Sequence, residues 1–327
     1  MKKNIYTLIT LMLCNTQLHA EEKKSINTFY DKNIVIVEKY HKEMSNLISG
    51  SATYVDDLLT KEEDKDNSEI NRSYGILDLG NSYSSKEGMD YRIKMKLKYH
   101  LPNIQKNLNI FLDINDENNT LSDEPSILTH DSKDQLSSGL MYEVDKGKWT
   151  RKHRVGVRFG SPLNTFVKSE IYRTKQFSTD FDLLMKQDFF YYKEEGLGTS
   201  SNLDFIYSLP EHNYLQASYK LQYLKQEQWE FFSNYSYFYN INEKSSLKYN
   251  IGAVSETNDD VDIIRYWGNI RYRHQLPQKW LFFKLTPEIS FSNIHNYDAE
   301  YKILAEFQIF LGSRTGINYG VKKYRYQ

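Results

Sequence analysis

The chain has 327 residues, and its 42 Lys and Arg nearly balance 43 Asp and Glu, for a formal net charge of −1. That balance gives no global field to gather nucleic acid or another polyanion. A mean hydropathy of −0.68 excludes a bundle of transmembrane helices, but not a barrel whose strands are polar at every second residue. The 27 Tyr and 17 Phe fit the aromatic girdles that such barrels carry at both membrane–water interfaces.

The first residues read as a secretory signal. Lys2 and Lys3 precede an apolar stretch from Ile5 to Leu13, and Leu18-His19-Ala20 marks a cleavage point before Glu21. The only cysteine, Cys14, follows Leu13 rather than the small residue of a lipobox. If it leaves with the signal, the mature chain has no disulfide, thiolate nucleophile or Cys-bound metal. Residues 21–70 then predict two helices and a linker. One covers Lys32 to Asn46, although the Ile-Val-Ile-Val run at 34–37 is equally compatible with a strand. The other is capped by Ser51 and runs to Thr60, with Val55, Leu58 and Leu59 on one side and Asp56 and Asp57 facing away. The charged run Lys61 to Asp66 predicts a solvated linker. This segment reads equally as a plug in a barrel mouth, a docking element for a periplasmic partner through residues 21–65, or a leader that sets the first strand in register.

From Asn71 the period changes from helical to twofold. The alternation predicts fourteen strands: Ser73–Tyr83, Asp90–His100, Asn107–Asn115, Ser137–Val144, Thr150–Gly160, Asn164–Gln176 and Asp180–Tyr192, then Thr199–Ser208, Asn213–Tyr223, Trp229–Asn240, Ser246–Glu256, Asp262–Gln275, Trp280–Phe291 and Glu300–Leu311. Their lengths suit tilted strands across an outer membrane. The Pro-containing turns after Leu101, Leu209 and Leu276 all fall at one end, while the longest gap, Asp116 to Gln135, falls at the other. Short turns mark the periplasmic end of such barrels. The expected fold is therefore all-β: an antiparallel transmembrane β-barrel of about fourteen strands, with twelve or sixteen open, spanning residues 71–312 in the outer membrane of a Gram-negative bacterium. Residues 313–327 form either a tail or an extra strand.

The alternation also assigns faces. In the second strand Tyr91, Ile93, Met95, Leu97 and Tyr99 alternate with Arg92, Lys94, Lys96 and Lys98. In the twelfth, Tyr266, Gly268, Ile270 and Tyr272 oppose Arg265, Arg271 and Arg273. Turning those three arginines to lipid would cost roughly 2–4 kcal/mol each near the midplane, so they face the lumen. Lys152, Arg154 and Arg158 join this basic set, against the acidic Asp113, Asp188, Asp204, Glu288 and Glu306. A basic wall favours anions. The same residues also read, strongly, as ion pairs that hold a barrel shut, such as Asp113 with Lys96 or Glu288 with Arg271. The sixth strand leaves its faces undecided, because Phe166, Val167, Ile171 and Tyr172 are apolar on both.

No nucleophile motif, paired-histidine metal site, phosphate-binding loop or nucleic-acid module is present. His295, beside Ser292 and Asp298 in an outer loop, reads as solvated. The sequence therefore points to no enzyme and no cofactor. The partners it implies are outer-membrane lipid and the barrel-insertion machinery. Asn202-Leu203-Asp204, Leu276-Pro277-Gln278-Lys279-Trp280-Leu281-Phe282-Phe283, Pro287-Glu288-Ile289-Ser290-Phe291 and Phe310-Leu311-Gly312 together resemble an uncharacterised proteobacterial family of predicted outer-membrane barrels. The resemblance implies the fold and supplies no site residues. The leading functional expectation is a passive channel or transporter for small, anionic solutes. A structural or docking barrel and a lipid hydrolase are the alternatives.

Overall fold

The computed structural model describes residues 20–59, 73–101, 107–114, 136–225, 229–257 and 261–312, with helix side chains over 37–56. The signal segment, the charged linker, the long gap after residue 115 and the tail lie outside the described residues. One helix, α1 (Ala20–Leu59), is followed by fourteen strands. They are β1 (Tyr74–Ser84), β2 (Gly88–His100), β3 (Leu108–Ile114), β4 (Leu136–Lys146), β5 (Trp149–Phe159), β6 (Asn164–Gln176) and β7 (Phe181–Tyr192), then β8 (Gly196–Ser208), β9 (Tyr214–Leu224), β10 (Trp229–Asn242), β11 (Ser245–Thr257), β12 (Val261–Gln275), β13 (Leu281–Ser292) and β14 (Ala299–Gly312). Each strand pairs antiparallel with its neighbours in sequence, and β14 pairs with β1 to close the ring. Closure removes the exposed sheet edges that a membrane cannot tolerate.

The apolar face of the alternation points outward. Tyr91, Ile93, Val155, Val167, Ile251, Ile270 and Tyr301 are all more than 40% exposed, whereas their chain neighbours Arg154, Lys168, Asn250, Asn269 and Lys302 are buried against the inner wall. A soluble protein would reverse this arrangement; a lipid-facing wall requires it. No helix among the described residues is long and apolar enough to cross a membrane. For β6 the ambiguity resolves with Phe166, Lys168 and Glu170 inward and Val167 outward.

The helical expectation is corrected on two points. Residues 20–59 form one helix, not two, and Ser51 lies inside it rather than capping a second. Gly50 costs about 1 kcal/mol in a helix interior, but packing on both sides of it offsets that cost. Ile48, Ala52 and Asp56, spaced one turn apart, are all buried. Asp56 therefore faces inward on this helix, contrary to the sequence reading, and Val55 is only partly covered. The Ser51 hydroxyl donates to the Ile48 carbonyl and lies 3.4 Å from the Tyr99 hydroxyl.

From Leu47 onward the helix packs on the outward side of the barrel. A Cβ placed on Gly75 would lie 3.1 Å from Ile48 Cδ1, 2.7 Å from Leu97 Cδ2 and 3.5 Å from Leu311 Cβ. Gly75, Leu97, Tyr99 and Leu311 share the outward set of β1, β2 and β14. Leu311 is only 4% exposed, whereas Ile303 further along the same face of β14 is 44% exposed. Residues 47–56 thus cover the outer seam where the first and last strands meet; they do not enter the lumen. Over residues 37–46 the helix is mostly exposed, with a Lys39–Glu43 pair one turn apart.

Candidate functional site: the inner wall

The inner wall divides into sectors by chemistry. On β3 and β5–β7 the inward positions form a compact network of charge. Arg154 on β5 pairs with Asp113 on β3 at 3.5 Å and with Glu170 on β6 at 3.3 Å. Lys186 on β7 pairs with Glu170 at 2.9 Å and with Asp188 at 3.1 Å, and Lys168 reaches both acids at 3.7 and 3.5 Å. These three acids and three bases are each 9% exposed or less. Buried charges persist only when paired and hydrogen-bonded, and here each has at least one partner of opposite sign.

Aromatic side chains that alternation alone had not assigned to the lumen stand on β3, β6 and β7. Phe111 and Phe166 form a buried inward cluster with Met141 of β4, and Tyr192 packs against it. Arg158 lies 3.5 Å above the Tyr192 ring and is also bound by Glu195 at 3.1 Å. Glycine makes room for the cluster. A Cβ on Gly156 would lie 2.5 Å from the Ser138 carbonyl oxygen and about 3 Å from the Phe166 and Phe111 rings. Gly139 and Gly156, directly opposite on adjacent strands, are the sequence signal for it.

On β9–β13 the wall is lined by a ladder of neutral polar groups. The Ser236 hydroxyl donates to Asn250 Oδ1 at 2.8 Å, Asn250 Nδ2 to Asn269 Oδ1 at 2.7 Å, and Asn269 Nδ2 to Glu288 Oε2 at 3.1 Å. These residues are cross-strand partners, so the ladder follows the register. At β8–β9 the Asp204 carboxylate accepts from Ser218 at 2.5 Å and from Gln216 at 3.1 Å.

The third sector runs from β12 through β13, β14 and β1 to β2. Glu306, buried near the middle of β14, sits in the field of Lys284, Arg92, Arg271 and Lys94. Lys284 also pairs with Asp78 at 3.2 Å. Arg273 stacks on Phe282 at 3.9 Å and donates to Gln308 at 3.1 Å. Lys96 stands opposite Asp113 in register, and Lys98 pairs with Glu143 at 2.6 Å. Glu288 is held by Arg265 at 2.5 Å. Lys152 stands opposite Glu170 and lies 5.8 Å from the Tyr172 ring centre.

These ion pairs share one geometric property: each lies within one strand or joins strands that are adjacent in the ring or separated by one strand. Strand spacing of about 4.8 Å and a tilt of about 40° give a fourteen-strand barrel a backbone diameter of roughly 25–30 Å. Pairs confined to neighbouring strands brace such a wall and do not bridge the lumen.

At the rim that holds the β1–β2 and β13–β14 turns, Glu87, His295 and Glu300 bring ligand-type atoms together. The Lys302 ammonium already occupies the space between the two carboxylates, 3.5 Å from Glu87 and 3.0 Å from Glu300. Two Ser–His contacts occur among the described residues, Ser169–His153 at 3.0 Å and Ser245–His274 at 2.8 Å. No carboxylate orients either ring among the described residues, as a catalytic triad requires.

No protein-family model matches the sequence, and a search of curated proteins returns no match. Solved structures do show a likeness in shape. The outer-membrane channel DcaP of Acinetobacter baumannii is 8% identical with a TM-score of 0.46, over 77% of this chain and 99% of that one. OmpT of Vibrio cholerae is 8% identical with a TM-score of 0.44, over 75% and 99%. The NanC porin is 7% identical with a TM-score of 0.39, over 71% and 98%.

Proposed function

We propose that the chain is a passive outer-membrane channel for small hydrophilic solutes, with a preference for anions. The observation that carries this reading is the direction of the ion pairs: Arg154–Glu170, Lys186–Asp188, Lys284–Asp78 and Arg265–Glu288 all run along the wall. A barrel closed by charge would need pairs across the lumen. The preference for anions follows from Arg92, Lys94, Lys96, Arg271 and Arg273, which give the β12–β2 side an excess of positive charge.

Single-channel recording from the folded mature chain in planar bilayers tests it. Discrete conductance steps with a reversal potential displaced toward anions are expected. A protein that folds and inserts but stays silent would overturn the reading.

A further inference from the structure

The charge on the inner wall is distributed unevenly around the ring, and the unevenness is diametric. On β12, β13 and β2, Arg271, Arg273, Lys284, Arg92 and Lys94 stand around the acids Asp78 and Glu306. Glu288 matches Arg265, Glu300 and Glu87 both pair with Lys302, and Lys96 and Lys98 of β2 offset Asp90 and Asp262, so the sector keeps an excess of positive charge. On β6–β8 the sign reverses. Glu170, Asp182, Asp188 and Asp204 outnumber Lys168 and Lys186, and all six are buried against the wall. In the closed ring the five strands β12–β2 and the three strands β6–β8 are separated by three strands on either side. The two sectors therefore face each other.

The flanking sectors do not blur this polarity. On β3–β5 the bases Lys152, Arg154 and Arg158 meet Asp113, Glu143 and the adjacent Glu195. On β9–β11 the inward Lys220 and Lys248 are balanced by Glu230 and Glu256, and neutral groups such as Ser236 and Asn250 lie between them. Glu306 and Asp78 lie near the middle of their strands, as do Glu170 and Lys186 opposite. The two charged sectors thus meet at about the same depth. Low-dielectric walls focus the field between such sectors into the water they enclose.

We propose that this transverse field makes the lumen favour small zwitterions over neutral solutes of the same size. A solute with a carboxylate and an ammonium a few ångströms apart lowers its energy by turning its carboxylate toward β12–β2 and its ammonium toward β6–β8. A neutral solute of the same size gains nothing from the field, and a simple anion is drawn to one wall only. The inference rests on the channel reading and specifies what that channel admits.

Glycine and glycolamide provide the test, because they are isomers of nearly equal size and only glycine is zwitterionic at neutral pH. Swelling of liposomes holding the full mature chain should be about fivefold faster in glycine than in glycolamide at low ionic strength. β-Alanine, with its charges further apart, should show a larger ratio against its isomer lactamide. The triple variant Arg92→Gln, Lys94→Gln, Arg271→Gln should bring the ratio of the glycine rate to the glycolamide rate toward one. Equal rates for both isomers through the native protein would overturn the zwitterion preference and leave the channel standing. A ratio that survives the triple variant would show that the β12–β2 charges are not its source and would also overturn it. Passage of neither isomer would overturn the channel and this inference with it.

Discussion

At the scale of single residues, the inner wall depends on a few side chains without slack. Gly139 has the least space: a Cβ there would lie 2.1 Å from the Val155 carbonyl oxygen and 2.6 Å from Gly156 Cα. Gly139→Ala must push two paired strands apart, and overpacking of this kind costs about 1–3 kcal/mol. The expected result is a lower midpoint in urea-induced unfolding, followed by the loss of heat-modifiable gel mobility. Glu170 is the hub of the charged network, 1% exposed and paired with Arg154, Lys168 and Lys186. Glu170→Gln leaves three cations with one fewer counter-charge. Breaking a buried pair by removing one partner costs about 3–5 kcal/mol, so this variant should lose more stability than Asp204→Asn, where Ser218 and Gln216 can still bond the new amide.

At the scale of elements, the strands were almost wholly legible from the alternation. The ranges expected for the sixth and twelfth strands fall on β6 and β12 within a residue, because a one-residue slip would move every arginine of β12 into lipid. Ile270→Arg should reproduce that penalty at one site, costing roughly 2–4 kcal/mol. Asn269→Arg, one position away on the inner face, should insert normally; equal folding yields for the two variants would contradict the face assignment. The helix was less legible, because Gly50 and its serines look like a break and only tertiary packing says otherwise. Asp56 was misplaced for the same reason: a sequence rule sends acids to solvent, and a neighbouring strand can override it. Of the candidate site, the charged positions could be read from period two. The inward aromatics could not, since Phe111 and Phe166 are apolar on a face that composition marks as polar. Which acid holds which base could not be read either. Arg265 reaches Glu288 and Arg154 reaches Asp113 through tilt and side-chain length that spacing does not encode.

At the scale of the whole molecule, the ring unites a lipid-facing wall with a charged inner one. The preference for anions should depend on salt, because the Debye length shrinks from about 10 Å at 0.1 M to 3 Å at 1 M, well short of the lumen's radius. The anion-to-cation permeability ratio measured from reversal potentials should therefore fall toward unity as KCl is raised. A ratio independent of salt would point to a steric filter. Limited proteolysis offers a second check at this scale. Gly75→Leu removes the seat of Ile48, so the bond after residue 54 should be cleaved faster than in the native protein while the barrel stays resistant.

That seat has a kinetic meaning. The helix precedes β1 in the chain, yet the surface it covers includes Leu311, at the far end of β14. The covering cannot be complete until the last strand to emerge has docked beside the first. Its contribution is withheld throughout assembly and released at the moment the ring shuts, and parting β1 from β14 again would require the helix to let go as well. The join between the two chain ends is thereby locked rather than merely paired, and unzipping should begin at some other hairpin.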